Sequence, residues 1–397
     1  MVCIINSRFS SLEQKKAYTL QMDIYQELLN SLDIEDQVIL ATIVATKGST
    51  PSAALSKMII KNKGKTSVGT IGGGCVEADV LARAQQKLQT EAAETLCFEL
   101  REDEYIQGLI CGGTINVLLE PISRNLIPLF HELKFIRDNG NDSLIGTHLG
   151  SDGRIIRKTI LAEYRNAELC INKEQESYWQ NLLQKSASPL QNTLAEMIES
   201  SLKHQSVTRI PLNEGELILE PVPGLPNLIL FGGGHVSKAI CRSAASCGFQ
   251  VTVTDDREAF CNPARFPEAD ATIVSDFSEV FKRVTIKPAT YLVIVTRGHR
   301  YDEEVLENAL KTPAHYIGMM GSQRKVLTSF KRLLSYGFKK EDLMRVHSPI
   351  GIEVGAITPE EIAISVVAQL IRVRRGYSKP AIDKSELISS FFHESNV

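Results

Sequence analysis

Three consecutive glycines, Gly72–Gly74, lead directly into Cys75 and mark the stretch of this chain best suited to bind a ligand. Glycine reaches positive φ and lets the backbone approach a bound group closely. Apolar residues then recur every fourth position and predict a helix starting near the cysteine: Val76, Val80, Ala84 and Leu88. The N–H groups and the dipole of a first helical turn favour a thiolate, although Glu77 in the same turn opposes one. We predict a cofactor-binding nest of Gly72, Gly73, Gly74, Cys75 and Glu77, and the alternative is a tight turn with a buried cysteine.

A second cysteine, Cys111, precedes Gly112 and Gly113 and has a setting like that of Cys75. Thiolates at two glycine-rich turns suit a soft metal or a sulfur-bearing cofactor, so Cys75 and Cys111 are the predicted metal contacts. The eight cysteines show no Cys-x-x-Cys spacing, which favours free thiols in a reducing compartment and a cytoplasmic location. We interpret the remaining six cysteines as packing or surface thiols.

The turn 232–237 matches Gly-x-Gly-x-x-Gly except that Ser237 replaces the third glycine. A buried strand is predicted before it and a helix after it, and Asp255 lies about 20 residues further on, which is the pattern of a dinucleotide-binding unit. A phosphate would rest on the helix N-terminus, and Asp255 would bind a ribose hydroxyl. We predict cofactor contacts at Gly232, Gly234, His235, Asp255 and Arg257, where the arginine is a phosphate partner. The alternative is a doubly wound fold that has lost its ligand.

A second glycine turn, 318–322, precedes the basic pair Arg324 and Lys325. Successive backbone N–H groups and two cations make an anion nest, with Gly321, Ser322, Arg324 and Lys325 as the predicted contacts. The alternative is a solvated basic helix face.

His299 and Asp302 follow the fourth predicted strand of the C-terminal half, and His235 and His347 are expected near the same crevice. Open α/β sheets bind their ligands beyond the carboxyl ends of the strands. We therefore predict His299 and Asp302 as cofactor contacts, since histidines at such a place act as metal ligands or acid–base groups. The alternative is that each histidine is a hydrogen-bonded structural residue.

These candidate residues need two different kinds of domain to position them. Before residue 163 the pattern indicates strands, including a buried one over 38–45, and a hairpin around 150–153, which we read as a mixed α+β domain over 1–162. Residues 163–224 are interpreted as a helical insertion, a strand and a proline linker. Alternating strands and helices then predict a Rossmann-type doubly wound parallel sheet over 225–380, followed by a tail over 381–397. The predicted fold class is α/β.

One short stretch appears twice in the N-terminal half. Residues 116–121 resemble residues 216–221, and both end in Glu-Pro. Each proline is expected to end strand pairing.

The composition excludes several classes of protein. The net charge of −3 gives no reason to expect nucleic acid, and no apolar run approaches the roughly 18 residues that a membrane span needs. A hydrophobic content of 43% is typical of a globular protein with a sizeable core.

Taken together, these motifs resemble the XdhC/CoxI family, the accessory proteins of xanthine dehydrogenase and related molybdenum hydroxylases. The matching stretches are 48–51, 69–77, 111–113, 119–121, 231–236, 255–257, 296–302, 316–325, 347–351 and 358–365. The chain departs from the family pattern at Ser52, where an arginine is common, and at Gly233, where an alanine is common. The first departure removes an expected anion contact.

The resemblance implies a chaperone that binds the molybdenum cofactor (molybdopterin), supports its sulfuration and passes it to an apo molybdenum hydroxylase. Cys75 and Cys111 would then be candidate molybdenum contacts. The implied partners are that hydroxylase and a cysteine desulfurase-type sulfur donor, and a homodimer is a further expectation. The alternative function is an NAD(P)-dependent oxidoreductase that uses the Rossmann-type domain, with NAD(P) or another nucleotide as its cofactor.

Overall fold

The computed structural model describes residues 23–100, 113–165, 168–187 and 190–377. Within these residues the chain forms two compact units: an N-terminal unit up to Asn227, joined by Lys287–Ala289, and a C-terminal unit of Leu228–Ile286 and the residues from Thr290. The N-terminal unit has two antiparallel sheets with helices and the C-terminal unit has one parallel sheet, which confirms the predicted α/β class. Among the described residues, no helix is both long and apolar enough to cross a bilayer.

The first half of the N-terminal unit folds around one five-stranded sheet. Its elements are α1 (Ile24–Ile34), β1 (Gln37–Lys47), β2 (Lys57–Lys61), β3 (Thr66–Gly69), α2 (Gly74–Thr90), β4 (Glu94–Glu99) and β5 (Thr114–Ser123). The strands lie in the order β3-β2-β1-β5-β4, and every neighbouring pair is antiparallel. The apolar run over 38–45 forms the buried centre of β1, as predicted.

The second half repeats this arrangement. Its elements are α3 (Ile127–Asp138), β6 (Ser143–Leu149), β7 (Ile155–Arg165), β8 (Glu168–Ile171), α4 (Lys173–Leu183), α5 (Leu194–His204), β9 (Thr208–Leu212) and β10 (Gly215–Val222). The strand order β8-β7-β6-β10-β9 is the order of the first sheet, with α4 and α5 in the place of α2. The hairpin predicted around 150–153 is confirmed as the pair β6 and β7. Residues 163–224 therefore supply strands β8, β9 and β10 of this sheet.

The repeated Glu-Pro stretches occupy matching positions in the two halves, near the ends of β5 and β10. The prediction that each proline ends pairing is wrong. Pro121 is paired with Ile39 and Pro221 with Leu144, and both strands continue for at least one more residue. By then the other neighbour, β4 or β9, has already ended. Each proline therefore lies where its strand pairs with a single neighbour, which is where prolines occur in sheets.

A buried layer of four charges links the two sheets. Lys57 of the first half donates to Glu220 of the second at 2.6 Å, and Lys158 of the second donates to Glu120 of the first at 2.6 Å. Each ammonium also donates to a threonine of its own sheet at 3.0 Å, Thr42 or Thr147. Burial alone raises the pKa of Glu220, but the two lysines outweigh it and hold that pKa below its ordinary value.

Apolar side chains lie on both sides of this polar layer. On each strand of this layer, an apolar residue two positions before or after the charged residue or threonine belongs to one of two cores that both sheets form. The larger core also includes residues of α1 and α3. A separate core packs α2 on the first sheet, and another packs α4 and α5 on the second.

The C-terminal unit is a six-stranded sheet in the order β13-β12-β11-β14-β15-β16. Its strands are β11 (Asn227–Phe231), β12 (Gln250–Asp255), β13 (Ala271–Val274), β14 (Thr290–Ile294), β15 (Tyr316–Met319) and β16 (Val346–His347). Its helices are α6 (His235–Ser246), α7 (Phe277–Arg283), α8 (His299–Leu310), α9 (Gln323–Ser335), α10 (Lys340–Met344) and α11 (Pro359–Arg374). Two apolar cores, one including residues of α6 and α11 and the other residues of α7, α8 and α9, cover the sheet. The strand order reverses between β11 and β14, which makes their carboxyl ends the switch point of the fold.

Candidate functional site

The glycine–cysteine loop, defined as Gly69–Cys75, joins β3 to α2 in the N-terminal unit. Gly69, Gly72, Gly73 and Gly74 have φ values of 90°, 122°, 74° and 62°, which a residue with a side chain adopts only under strain. Helix α2 begins at Gly74, so Cys75 is its second residue and carries a free, half-buried thiol. The predicted position of Cys75 at a helix start is therefore confirmed.

The Glu77 carboxylate, on the first turn of α2, accepts hydrogen bonds from the glycine–cysteine loop. Its Oε1 atom accepts hydrogen bonds from the Thr70 hydroxyl at 2.7 Å and from the backbone N–H groups of Ile71 and Gly73 at 3.0 and 2.9 Å. Burial of the carboxyl raises its pKa, but these three bonds outweigh burial and lower the pKa of Glu77 below its ordinary value. Glu77 therefore holds the shape of the loop.

The N–H groups that follow remain open to a ligand. Gly73 caps α2 without a side-chain hydrogen bond, and the N–H groups of Gly74, Cys75 and Val76 have no acceptor within the described part of the chain. A Cβ atom built on Gly73 or Gly74 would meet no atom of the described residues within 4 Å. The helix N-terminus thus combines free N–H donors, a positive dipole end and a half-buried thiol, a set that suits an anionic or sulfur-binding ligand.

Two other glycine-containing segments pack beside this loop. A Cβ on Gly72 would lie 2.9 Å from Pro51, and a Cβ on Gly113 would lie 2.3 Å from the Ser49 carbonyl oxygen. The 48–52 loop therefore contacts both the glycine–cysteine loop and the start of β5. Cys111 lies outside the described residues, so its assignment as a metal contact stays a prediction. The residues that are described contain no cluster of three or more metal-ligating side chains.

The glycine turn of the C-terminal unit lies at the switch point, between β11 and α6. A Cβ on Gly232 would lie 2.2 Å from the Val295 carbonyl oxygen, and a Cβ on Gly233 would lie 2.1 Å from the Phe260 carbonyl oxygen. A side chain at either position would require the opposing backbone to shift. Gly234 caps α6 without a side-chain hydrogen bond, and His235 is the exposed first residue of that helix. The N-terminus of α6 can therefore receive a phosphate.

Asp255 lies at the end of β12 and is buried, with 1% of its surface exposed. Gly233 N–H donates to Oδ2 at 2.8 Å, and Arg257 donates from its Nε atom to Oδ1 at 2.8 Å. Burial raises the pKa of Asp255, but the Arg257 side chain and the backbone N–H groups outweigh it and hold that pKa below its ordinary value. The structure thus brings Asp255 and Arg257 to the glycine turn.

Asp302 organises the adjacent edge of the crevice. Its carboxylate accepts from the Thr296 hydroxyl at 2.6 Å and from the Lys325 ammonium. Ser322 caps α9 by accepting from the Lys325 N–H at 3.4 Å, while the side chain of Arg324 is exposed. Lys325 is therefore an ion-pair partner of Asp302 beyond the end of β15, and Arg324 has no ion-pair partner among the described residues.

Of the predicted histidines His299 and His347, the structure describes the side-chain surroundings of His347 only. His299 is the first residue of α8, directly after the helix cap Gly298, but its side chain is not among the described ones. His347 stacks on Tyr316 with ring centroids 4.5 Å apart, and burial and then the neighbouring His315 lower the pKa of His347. His347 has the surroundings of a packed structural residue.

Two family models match this chain. Residues 32–99 match the model described as the XdhC and CoxI family, and residues 228–370 match the model described as the XdhC Rossmann domain. Together the matches cover more than half of the chain. The chain belongs to the XdhC and CoxI family.

Family relatives align over nearly the full length. A Bacillus subtilis (strain 168) protein described as a probable subunit of xanthine dehydrogenase is 28% identical over 347 residues, covering 87% of this chain and 95% of that protein. The molybdenum cofactor insertion chaperone PaoD of Escherichia coli (strain K12) is 20% identical over 340 residues, covering 85% and 83%. A crystal structure described as a xanthine dehydrogenase from Bacillus halodurans is similar with a TM-score of 0.68 and 26% identity, covering 91% of this chain and 99% of the other.

The XdhC and CoxI family matches include both candidate sites. The range 32–99 contains the glycine–cysteine loop, and the range 228–370 contains the glycine turn at 232–234 with Asp255, Asp302 and Lys325. Sequence reasoning missed the residues that complete these sites: Thr70, Phe260, Arg265, Thr296 and Arg297. A signal existed only for Thr296 and Arg297, which directly follow a predicted strand.

Replacing Glu77 by glutamine is expected to lower the free energy of unfolding of the N-terminal unit by about 1–2 kcal/mol at pH 7, because hydrogen bonds to a charged carboxylate are weakened. The folded-state pKa is depressed, so the contribution of Glu77 is complete above about pH 4.3 and is lost as pH falls through the lower folded value. The single tryptophan, Trp179, is buried in the N-terminal unit and reports its urea unfolding by fluorescence. Equal stability of the two proteins at pH 7 would contradict this role of Glu77.

Proposed function

We propose that this protein is a molybdenum cofactor chaperone, which binds the cofactor, supports its sulfuration and delivers it to an apo molybdenum hydroxylase. The carrying observation is the free thiol of Cys75 at the start of a helix whose first N–H groups have no acceptor among the described residues. A molybdopterin presents a phosphate and a soft, sulfur-bound metal. Backbone donors suit the phosphate, and a thiol suits the metal.

The glycine–cysteine loop passes a test of fit to this cofactor. No atom of the described residues lies within 4 Å of a Cβ built on Gly73 or Gly74, so the backbone at these two positions is accessible to a ligand. Glu77 already binds the N–H groups of Ile71 and Gly73, which leaves Gly74, Cys75 and Val76 as the donors for a ligand. When bound, the cofactor supplies the redox chemistry that the receiving hydroxylase uses. The chain itself would hold the phosphate through the N–H groups of Gly74, Cys75 and Val76 and would offer the Cys75 thiol.

The kinship with PaoD, which is named for molybdenum cofactor insertion, supports the same proposal. It also supports an apo molybdenum hydroxylase as the receiving partner. A cysteine desulfurase-type sulfur donor would be the second partner, because sulfuration needs a source of sulfur.

The test is cofactor content and transfer. The full chain is produced in a molybdate-replete host, and molybdenum and pterin are measured per protein, with the same chain from a host that cannot make the cofactor as control. We expect the loaded protein, and not the control, to activate an apo hydroxylase of the xanthine dehydrogenase type. Protein that carries no pterin from the replete host and activates nothing would refute the proposal.

The sequence-based alternative, an NAD(P)-dependent oxidoreductase, rests on the C-terminal unit alone. The same preparation tests it through the absorbance of bound nicotinamide and through oxidation of added NADPH or NADH.

A further inference from the structure

Asp255 has no acceptor site left for a ribose. Its Oδ1 atom accepts from the Arg257 N–H at 3.0 Å and from Arg257 Nε at 2.8 Å. Its Oδ2 atom accepts from the Gly233 N–H at 2.8 Å and from Arg257 Nη2 at 3.1 Å. An ionised carboxylate has about four acceptor positions, and here all are used. In NAD-binding units of this fold, the acid in this place instead receives the ribose hydroxyls.

Arg257 is held ready for an anion. Its Nε and Nη2 atoms bind Asp255, and the guanidinium carbon lies 3.8 Å from the centre of the Phe260 ring. The side chain is 33% exposed, and its Nη1 atom has no partner among the described residues. A guanidinium fixed along one edge and stacked on an aromatic face loses little freedom when its other edge binds phosphate.

A second arginine reaches the same edge from the end of β14. Arg297 donates to Asp256 at 2.6 Å and to the Tyr301 hydroxyl at 3.1 Å, and its side chain is 38% exposed. The Asp256 carboxylate also lies 3.7 Å from Arg257 Nε. Both carboxylates at this edge are therefore paired with arginines, so a phosphate here does not face an uncompensated negative charge.

We infer that the C-terminal unit binds a nucleotide with a 2′-phosphate on its adenosine ribose, that is, an NADP-type dinucleotide, and selects against NAD. The pyrophosphate would rest on the N-terminus of α6 at Gly234, which places the adenosine ribose beside Asp255. Arg257 is the ligand of the 2′-phosphate and the residue that sets the selectivity. This site is distinct from the glycine–cysteine loop, so it stands or falls separately from the proposed function.

The experiment compares 2′,5′-ADP with 5′-AMP, and NADPH with NADH, by calorimetry on the full chain. One charge-assisted contact predicts that 2′,5′-ADP binds about tenfold or more tightly than 5′-AMP. In Arg257→Gln this ratio is expected to fall to one or below, because the 2′-phosphate loses its cation and Asp255 regains acceptor positions for the ribose hydroxyls of 5′-AMP. Arg257→Lys, which keeps the charge but not the planar fork, should keep part of the ratio. Arg242→Gln, an exposed arginine on α6, is the matched control and should keep the full ratio.

Three outcomes would overturn the inference. The first is that 5′-AMP or NADH binds the wild type as tightly as its 2′-phosphorylated counterpart. The second is that 2′,5′-ADP fails to bind at millimolar concentration. The third is that the preference persists in a folded Arg257→Gln variant. If that variant does not fold, the wild-type ratio and the Arg257→Lys result decide.

Discussion

Replacing Cys75 by alanine is expected to abolish retention of the molybdenum cofactor while both units stay folded. Cys75 is the second residue of α2 and belongs to none of the buried apolar cores, so its replacement removes the soft ligand but no packing of a buried core. Even residues that only support a metal ligand change metal affinity by about 10–100-fold, so bound molybdenum should fall on the order of tenfold or more.

The measurement is molybdenum per protein after purification from a molybdate-replete host, alongside circular dichroism and Trp179 fluorescence to confirm folding. Cys97→Ala is the matched control, because Cys97 is an exposed free cysteine on β4 of the same sheet. It should retain the wild-type molybdenum content. A folded Cys75→Ala protein with unchanged molybdenum would remove the thiol from the site.

Replacing Lys158 by methionine is expected to destabilise the N-terminal unit by about 3–5 kcal/mol, because it leaves a buried carboxylate without a counter-charge. The side chains of Lys158 and Glu120 are 1% and 0% exposed, and the Thr147 hydroxyl loses the same donor. Adding Glu120→Leu should recover most of the loss, since a buried ion pair is often replaceable by apolar side chains.

Urea unfolding followed by Trp179 fluorescence measures this effect in the unit that contains it. Arg154→Met is the control: Arg154 pairs with Asp152 at 3.7 Å, but both side chains are more than 60% exposed. Such a surface pair contributes at most about 1 kcal/mol. If Lys158→Met and Arg154→Met cost the same, the buried layer is not what joins the two sheets.

The short repeat in the sequence, residues 116–121 and 216–221, reflects a repeat in the structure of the N-terminal unit. The match between 116–121 and 216–221 is short enough to be chance, yet both stretches fall at the same place in two sheets of the same strand order. Their glutamates form the crossed pairs with Lys57 and Lys158. Only the first half carries a glycine loop before its helix; in the second, Ile171 runs through Asn172 into α4. A sulfur-bearing site of this kind is thus present once in the described N-terminal unit.

By itself, the sequence determined features that depend on a few neighbouring residues. The positive φ values at Gly72–Gly74 require glycine, and the Thr-x-x-Glu spacing of Thr358 and Glu361 forms the capping box that begins α11. The apolar period likewise predicted the parallel sheet. Backbone conformation and the spacing of apolar side chains depend on residues within one or two turns of each other, so the sequence alone predicts them.

Tertiary structure alone decided which polar groups are already occupied. Glu220 and Lys57 are 163 residues apart, and no local pattern pairs them. Asp255 looks like a ligand contact in the sequence, but folding brings the Gly233 N–H, 22 residues away in the chain, to its Oδ2 atom. Residue type shows what a carboxylate can accept. Whether it is free depends on which donors the fold brings within hydrogen-bonding distance, because a buried acceptor binds whichever donor is nearest.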